Sequence, residues 1–431
     1  MNTLNLAKTV EGYMIEMRRH FHENPELSAV EFETLKRIDE ELTKMGIAYM
    51  DVPNGGIIGV IDSGKEGRTV ALRADIDALP MTENETNGGG KGRTCISKKD
   101  GVMHACGHDG HTATLLGVAK LLNENKDAFN GKVYLIFEQG EEGGGNYAYI
   151  VKYMENHGIK FDTVFACHLQ SSVNTGELHF VKGDAMATAM GFNIKIKGRG
   201  GHGSRPDMSI SPVDCFVAIY NGMNTIRMRN CDPYNPITFS VGHVVSGTKG
   251  NIIPDDLVFE GTVRLFDFEQ GMRFRTAFVE MLENTCKAYG CDYEIIRLSY
   301  PGLSVYNDAQ CTDMAMKAVE KYMGEGIAKV GIPIMGSESF PTYQRLAPGV
   351  FCFAGARCEE KGITADHHNP KFDIDEDSLV YSAAVYLAYT FEYLENGFDT
   401  DDRKMKVRYV DFLKSINAPA EQIKKIEEYN A

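Results

Sequence analysis

The spacing of apolar residues in the N-terminal part of the chain predicts two amphipathic helices. The first carries Leu6, Val10, Met14, Met17 and Phe21, which recur every three or four residues. The second carries Phe32, Leu35, Ile38, Leu42 and Met45 at the same spacing. Ser28 and Glu31 have the spacing of a capping box, which indicates that the second helix begins there.

Beyond these helices, short apolar runs alternate with further helical patterns. Strands are predicted over 57–61, 69–74, 132–137, 163–167 and 349–353. Helices are predicted over 112–123, 147–156, 308–323 and 378–394. Alternation of this kind is typical of an α/β fold, so we expect a mixed, mostly parallel sheet flanked by helices. The tail from Thr400 is charged and is also predicted to be helical.

The pattern changes near Gly183, which indicates a second, smaller domain. Its predicted strands are 192–197, 237–245, 257–266 and 293–298, and its predicted helices are 212–229 and 268–289. The order β-α-β-β-α-β fits an α+β domain with an antiparallel sheet. We therefore predict a catalytic α/β domain formed by residues 1–182 and 300–431, interrupted by an inserted α+β domain at 183–299.

Composition narrows the classes of function. The chain has 431 residues, of which 43% are hydrophobic and 24% charged, as in ordinary globular proteins. Its net charge of −15 disfavours phosphate backbones and anionic bilayers, so we expect no nucleic acid and no membrane partner. The N-terminus lacks the pattern of a signal peptide. Ten cysteines without a paired framework favour a reducing cytoplasm as the location.

Candidate metal ligands cluster in the segment 106–111, which contains Cys106, His108 and His111. Thiolate and imidazole suit zinc and neighbouring first-row metals. The alternative for this segment alone is a buried cysteine beside a helix-capping aspartate, Asp109.

Three predicted strands end in further polar side chains. Asp75 and Asp77 follow one strand, Glu141 and Glu142 follow another, and His168 follows a third. Because the carboxyl ends of parallel strands form the ligand-binding edge of an α/β sheet, we expect these groups to meet. Cys, His and Glu ligands with one spare carboxylate indicate a metal-dependent hydrolase, in which the metal activates water and the spare acid moves its proton.

Taken together, these motifs resemble the M20 metallopeptidases, specifically the amidohydrolase branch with aminoacylase-like, hippurate hydrolase-like and indole-3-acetyl-amino-acid hydrolase-like enzymes. The resemblance covers residues from about Arg18 to about Leu379. The matching stretches are 19–26, 72–80, 103–111, the glutamate pair at 141–142 and 201–206. The combination is highly specific, although no single stretch is.

The resemblance implies a site for two divalent metal ions, manganese or zinc first and cobalt or nickel next. The implied ligands are Cys106, His108, Glu142, His168 and His368, with Cys106 shared between the ions. Glu141 matches the family's general base, and Asp77 matches an acid that orients a ligand. His368 is preferred to His367 because the family's ligand lies just before a small residue and a proline.

The resemblance also implies that the smaller domain, 183–299, is a lid and dimerisation domain, and it implies roles for three of its residues. His202 matches a histidine that stabilises the oxyanion of the transition state. Asn251 and Arg264 match positions that hold the free carboxylate of the substrate, for which the planar guanidinium is well suited. In related enzymes some of these residues come from the partner subunit, so a homodimer or larger homo-oligomer is implied. The alternative for His202 is a turn histidine without contacts, and the alternative for Arg264 is a surface ion pair.

Two departures from the family pattern concern the acyl group of the substrate. Ser339 stands where this branch usually has Asp, and the segment 84–100, which includes Cys95, is unlike the usual sequence. We expect both near the substrate pocket.

The sequence thus predicts a cytoplasmic metal-dependent amidohydrolase that cleaves N-acyl amino acids, or similar small amides, to a carboxylic acid and a free amino acid. A di- or aminopeptidase acting on small peptides is the alternative within the same class. Two further alternatives belong to other classes of function. One is an enzyme that uses Cys106 as its nucleophile, and the other is a metal-binding protein without catalysis. The intact pair Glu141–Glu142 argues against the last, because a structural site has no use for a spare acid.

Overall fold

A computed structural model describes residues 2–143, 145–416 and 418–431. Its α-helices are α1 (Thr3–Lys8), α2 (Glu11–Glu23), α3 (Phe32–Met45), α4 (His108–Glu124), α5 (Tyr147–His157), α6 (Pro212–Arg229), α7 (Phe268–Tyr289), α8 (Ala309–Tyr322), α9 (Pro341–Gln344), α10 (Ser378–Asn396), α11 (Tyr409–Ser415) and α12 (Ala420–Glu427). Its strands are β1 (Ala48–Val52), β2 (Gly56–Asp62), β3 (Thr69–Asp75), β4 (Lys132–Glu138), β5 (Thr163–Asn174), β6 (Leu178–Phe180), β7 (Gly183–Met186), β8 (Thr188–Lys197), β9 (Gly201–His202), β10 (Ile237–Ser246), β11 (Ile252–Ile253), β12 (Asp256–Leu265), β13 (Asp292–Leu298), β14 (Val305–Asn307), β15 (Ala328–Val330) and β16 (Gly349–Arg357).

The larger sheet has eight strands in the order β1-β2-β4-β3-β5-β16-β6-β15. Its four central strands, β4, β3, β5 and β16, are parallel, whereas β1, β2 and β6 include antiparallel pairings. Asp75 lies opposite Glu138 in the register of β3 and β4, so both strands end at the same edge. This confirms the predicted mixed, mostly parallel sheet, and it places the carboxyl ends of β3 and β4 together at the edge where α/β sheets hold their ligands.

Helices cover both faces of this sheet, which explains why its central strands are continuous apolar runs. Helices α1, α2, α3, α4, α8 and α10 contribute to the core on one face. The other face packs against α5, α9, α11 and α12, so the charged tail supplies part of a core. Although α10 is almost entirely buried, none of the helices in the described ranges combines the length and apolarity that a membrane span requires.

The smaller domain has its own sheet and its own core. The sheet order is β10-β12-β8-β13, all antiparallel, and α6 and α7 pack against it. The elements β8, α6, β10, β12, α7 and β13 follow the predicted order β-α-β-β-α-β, so the predicted fold class is confirmed. The boundaries at 183 and 299 stay a prediction.

Two local predictions in the N-terminal part were wrong. The first helix is divided into α1 and α2, because the Thr9 hydroxyl and backbone N–H both donate to the Leu6 carbonyl and end the first segment. Ser28 and Glu31 form no capping box: α3 begins at Phe32 without a side-chain cap. Instead, Ser28 Oγ donates to Asp77, and the Glu31 carboxylate accepts from the Gly140 N–H. Both residues therefore hold loops at the sheet edge.

Candidate metal centre

Cys106 and His108 lie where the chain enters α4. Gly107 has a φ of 89°, a left-handed conformation that glycine adopts without steric cost, and it forms the N-cap of α4. The turn places Cys106 directly before the helix and His108 at its first position. Both side chains therefore face the carboxyl edge of the sheet.

Asp77 orients His108. Its Oδ1 lies 3.0 Å from Nδ1 of His108, and its Oδ2 accepts from Ser28 Oγ at 2.6 Å and from the Glu142 N–H at 2.9 Å. Burial alone would raise the pKa of Asp77, but these hydrogen bonds lower it below its usual range. Since Nδ1 of His108 donates to the carboxylate, its Nε2 is left as the ligand atom.

His168 is oriented by its own backbone. Its Nδ1 donates to the Leu169 carbonyl at 2.8 Å, and its Nε2 lies 3.6 Å from Sγ of Cys106. Burial lowers the pKa of His168 well below its usual value, so the ring stays neutral. A neutral imidazole with Nε2 unprotonated is the form that binds a metal.

Glu142 and His368 complete the cluster from two further loops. Oε1 of Glu142 is buried, has no hydrogen bond in the described part of the chain, and lies 3.2 Å from Nε2 of His368. His368 has a φ of 57°, and its N–H donates to the Ala105 carbonyl next to Cys106. A buried carboxylate oxygen without a hydrogen bond is costly unless a cation or proton meets it.

The candidate ligands fall into two groups that share Cys106. One group is Cys106, His108 and His168, the other is Cys106, Glu142 and His368, and within each group the ligand atoms lie within 4.8 Å of one another. Burial raises the pKa of the Cys106 thiol to about 12, so a thiolate there needs a cation beside it. The donor set therefore fits a pair of divalent ions and does not fit a free cysteine nucleophile.

The two C-terminal histidines differ in surroundings. His368 reaches Cys106 and Glu142, whereas His367 is half-buried, and its Nε2 accepts from the Ser171 N–H at 3.2 Å. Burial lowers the pKa of His367 to about 3. This placement favours His368 as the ligand.

We expect His368→Ala to lower the bound metal from two ions per chain to one, because one group then has only two protein ligands. His367→Ala serves as the control and keeps both ions. Metal content of the dialysed variants, measured by inductively coupled plasma mass spectrometry, checks this. Loss of an ion from the His367 variant alone would reverse the assignment.

Glu141 lies next to the ligands and is not needed as one. Its Oε1 accepts from the Ser339 N–H at 3.2 Å, and its carboxylate lies near His108 and Glu142. Burial, together with the charges of Glu338 and Glu142, raises the pKa of Glu141 well above its usual value. A carboxylate with a raised pKa is suited to accept a proton and pass it on.

The structure does not bring His202 and Asn251 to this cluster. They lie beside each other on the short ribbon of β9 and β11, where the Gly203 N–H donates to the Asn251 carbonyl. Nδ1 of His202 accepts from the Ser204 N–H at 3.1 Å, which leaves its proton on Nε2 when the ring is neutral. His202 is exposed, so its Nε2–H is a free donor, and the roles of both residues stay predictions.

Arg264 is placed closer to the cluster. It lies on β12, and its Nη1 donates to Oγ of Ser337 at 3.2 Å. Ser337 is two residues from Ser339, whose N–H contacts Glu141. Arg264 of the smaller domain and the candidate base Glu141 of the larger domain therefore contact the same loop, residues 337–339.

Arg73 is a residue that sequence reasoning missed. It is fully buried and donates to Asp75 at 2.8 Å, to both carboxylate oxygens of Glu138 at 3.0 and 3.1 Å, and to Ser339 Oγ at 2.6 Å. Its Nη2 also lies 2.9 Å from Glu338. Asp75 in turn contacts His111, whose Nε2 accepts from the Leu169 N–H. The sequence does contain an indication of its role, because Arg73 is a charged residue near the carboxyl end of an otherwise apolar strand.

A second buried cation supports the start of α4. Nε of Arg18 donates to Asp109 at 2.9 Å and Nη2 donates to Asp373 at 3.1 Å, while Nδ1 of His22 contacts Asp109 at 2.8 Å. Asp109 is thus bound by Arg18 and His22 rather than acting as a plain helix cap. The motifs at 19–26 and 103–111 meet through these contacts.

The two departures from the family pattern have different positions. Ser339 lines a cavity that also includes Glu141. The segment 84–100 instead packs against the loop that precedes His367, with the Gly89 N–H donating to the Gly362 carbonyl. Cys95 is buried beside Arg18. Of the described residues of this segment, none lines the cavity, so the expectation that it lies at the pocket is not supported.

Comparison with known proteins agrees with this geometry. A family model described as Peptidase family M20/M25/M40 matches residues 71–392. Thermostable carboxypeptidase 2 of Saccharolobus solfataricus is 38% identical over 389 residues, which are 89% of this chain and 95% of that protein. N-acetyl-L-cysteine deacetylase of Bacillus subtilis is 34% identical over 389 residues, covering 90% and 89%.

A solved structure extends the comparison to the metal centre. The crystal structure of a dinuclear metal binding peptidase of the M20 family from Bacillus subtilis superposes with a TM-score of 0.74 at 31% identity, and the match covers 90% of this chain and 99% of that one. With this agreement in sequence and fold, the chain belongs to the M20/M25/M40 peptidase family and is a metal-dependent hydrolase of amide or peptide bonds.

Proposed function

We propose that the protein hydrolyses the amide bond of N-acyl amino acids and releases a carboxylic acid and a free amino acid. The observation that carries this proposal is the contact of Arg264 with Ser337, on the loop that also contacts Glu141. A guanidinium at that point suits the free carboxylate of an amino acid whose amide bond lies at Glu141. The relative named N-acetyl-L-cysteine deacetylase carries an activity of this type in its name.

The metal pair is proposed to be manganese or zinc, with cobalt or nickel as further options, because thiolate, imidazole and carboxylate ligands suit several of these ions. When bound, such ions lower the pKa of water and polarise a carbonyl group. Cys106, His108 and His168 would hold one ion, and Cys106, Glu142 and His368 the other.

The side chains around the metals divide the remaining work. Glu141 accepts the proton of the attacking water on its carboxylate and delivers it to the leaving amide nitrogen. Asp77 keeps Nε2 of His108 aimed at the ligand cluster. Arg264 and Asn251 hold the substrate carboxylate, and Nε2–H of His202 donates to the developing oxyanion.

His202 and Asn251 would reach the site from a second copy of the chain or after the smaller domain moves. An exposed surface on that domain supports a homodimer. Strand β10 is at the edge of its sheet, and Val244 and Val245 on it are exposed. An unpaired edge strand with apolar side chains is a natural surface for pairing with another copy.

The experiment that tests this function measures amino-acid release from a panel of N-acetyl, N-benzoyl, N-phenylacetyl, N-indole-acetyl and longer N-acyl amino acids. We expect metal-dependent release that a chelator abolishes. The same compounds as C-terminal amides provide the matched control, and their kcat/KM should fall by about 100-fold because Arg264 loses its charged partner. Equal rates on acids and amides would refute carboxylate recognition.

Peptides form the second candidate class of substrates. The relative from Saccharolobus solfataricus is named a carboxypeptidase, and a peptide with a free C-terminus offers Arg264 the same carboxylate. Dipeptides with free and with acylated N-termini therefore belong in the panel. Faster cleavage of free dipeptides than of N-acyl amino acids would favour the peptidase.

A further inference from the structure

The C-terminal segment, residues 405–416 and 418–431, is built into the fold rather than appended to it. Arg345, which is buried, donates from Nη2 to the Val407 carbonyl at 3.0 Å, and its guanidinium lies 4.4 Å from the Phe412 ring centre. The Tyr409 N–H donates to Glu155 at 2.7 Å, and Tyr429 Oη donates to the Pro53 carbonyl at 2.9 Å. These contacts fix both ends of the segment on the sheet face that carries α5.

This segment forms one wall of a cavity next to the metal centre. The cavity has a volume of about 480 Å³. Glu141 and Ser339 line it on the side of the metal centre, and Phe412, Leu413 and Ile416 of the C-terminal segment line it as well. The family model ends at residue 392, so this wall lies outside the part of the chain that the family model matches.

The lining of the cavity is uneven in charge. Among the described residues that line it there is no Lys, Arg or His, and both charged side chains, Glu141 and Glu338, are acidic. These acids would repel a carboxylate, whereas the lining residue Ser337 accepts the hydrogen bond of Arg264 and marks the end where a carboxylate would be held. The cavity therefore suits the uncharged acyl half of the substrate.

The size of the cavity indicates the class of acyl group. An acetyl group takes roughly the space of two waters, about 60 Å³ at ~30 Å³ for each water. Most of the 480 Å³ would then stay unfilled. Because burial of each further CH₂ group is favourable, a longer or aromatic acyl group would be bound better than acetyl in this cavity.

We propose that the C-terminal segment forms the far wall of the acyl pocket, with Ile416 in contact with the acyl group, and that the enzyme prefers medium-chain or aromatic acyl groups to acetyl. This inference rests on the proposed hydrolysis of N-acyl amino acids. It assigns the choice of acyl group to a segment that contributes no candidate metal ligand.

A binding experiment tests the wall without any need for turnover. The chain contains 20 tyrosines but no tryptophan, so Ile416→Trp introduces a single tryptophan at the wall, which can be excited selectively over the tyrosines. Octanoate and phenylacetate, added to the metal-loaded variant, should shift its emission in a saturable way. Ile423→Trp, on the same segment but not lining the cavity, is the matched control and should not respond. No response at position 416, or an equal response at both, overturns the proposal.

A kinetic experiment tests the choice of acyl group. For Ile416→Asp, which puts a carboxylate at the wall, we expect kcat/KM on N-octanoyl amino acids to fall about tenfold or more, with the value on N-acetyl amino acids within about twofold. Ile416→Ala, which removes apolar contact with the acyl group, should lower the ratio of the two values by a smaller factor. An unchanged ratio in both variants would overturn the proposal. Absence of any N-acyl hydrolysis by the unaltered enzyme would count against the proposed function, while the fluorescence result would still decide the wall.

Discussion

Glu141→Gln is expected to lower kcat by about 100- to 10,000-fold while both metal ions remain bound. The amide keeps the size of the side chain and can still accept from the Ser339 N–H. It cannot accept a proton from water or return one to the leaving nitrogen. Steady-state kinetics on the best N-acyl amino acid, with metal content measured on the same sample, checks both halves of this expectation.

The control for this variant is Glu124→Gln at the exposed end of α4, where the carboxylate pairs with Lys120. Its turnover should equal that of the unaltered protein. Turnover of the Glu141 variant within tenfold of the control would remove Glu141 from the proton-transfer step. Loss of a metal ion would instead make it a ligand.

Arg73→Met is expected to give the largest loss of stability, about 3–5 kcal/mol in the free energy of unfolding. The guanidinium is the shared partner of Asp75, Glu138 and Glu338, whose side chains are at most 3% exposed. Without it, three buried carboxylates lose their common cation. Burial already raises the pKa of Glu138 with Arg73 in place, so that carboxyl should take up a proton first. Urea denaturation of the metal-loaded protein measures the loss.

Arg205→Met gives the comparison, because Arg205 and its partner Asp207 are exposed and the substitution should leave the urea midpoint unchanged. If Arg73→Met unfolded at the same urea concentration as Arg205→Met, the buried cluster would not stabilise the fold.

The presence of a serine at position 339 fits the charges of this buried cluster. Its hydroxyl accepts from Arg73 and donates to Glu138, whereas an aspartate there would add a further negative charge.

The elements of the fold were predictable where apolar spacing was regular. Helices α6 and α7 have the predicted limits, 212–229 and 268–289, because their apolar residues keep a helical period and their ends are capped. The first helix was predicted as one because its apolar spacing continues through Val10, although hydrogen bonds at Thr9 divide it. Short strands such as β6 and β15 were not predicted, since three residues are too few for a period of two.

The position in the fold made some of the candidate ligands predictable, because Glu142 and His168 follow predicted strands and His108 begins α4. The full set, with Cys106 and His368, was implied by the resemblance to the family. Cys106, His108, Glu142, His168 and His368 meet in the structure. The residues that support them were not predictable in the same way. Ser28, Glu31 and Arg73 act through contacts with residues far along the chain, and a local pattern such as the capping box competes with those contacts. His202 could be matched to a motif, but the sequence does not reveal from which copy of the chain it acts.

The position of the smaller domain between β5 and β16 has a consequence for the order in which the protein folds during synthesis. These two strands are neighbours in the parallel sheet, yet β5 ends at Asn174 and β16 begins at Gly349. At about 5–20 residues per second, the ribosome needs roughly 9 to 35 seconds between them. The smaller domain, which is contiguous and has its own core, can fold in that interval. Until β16 emerges, the open edge of β5 is available to chaperones or to aggregation.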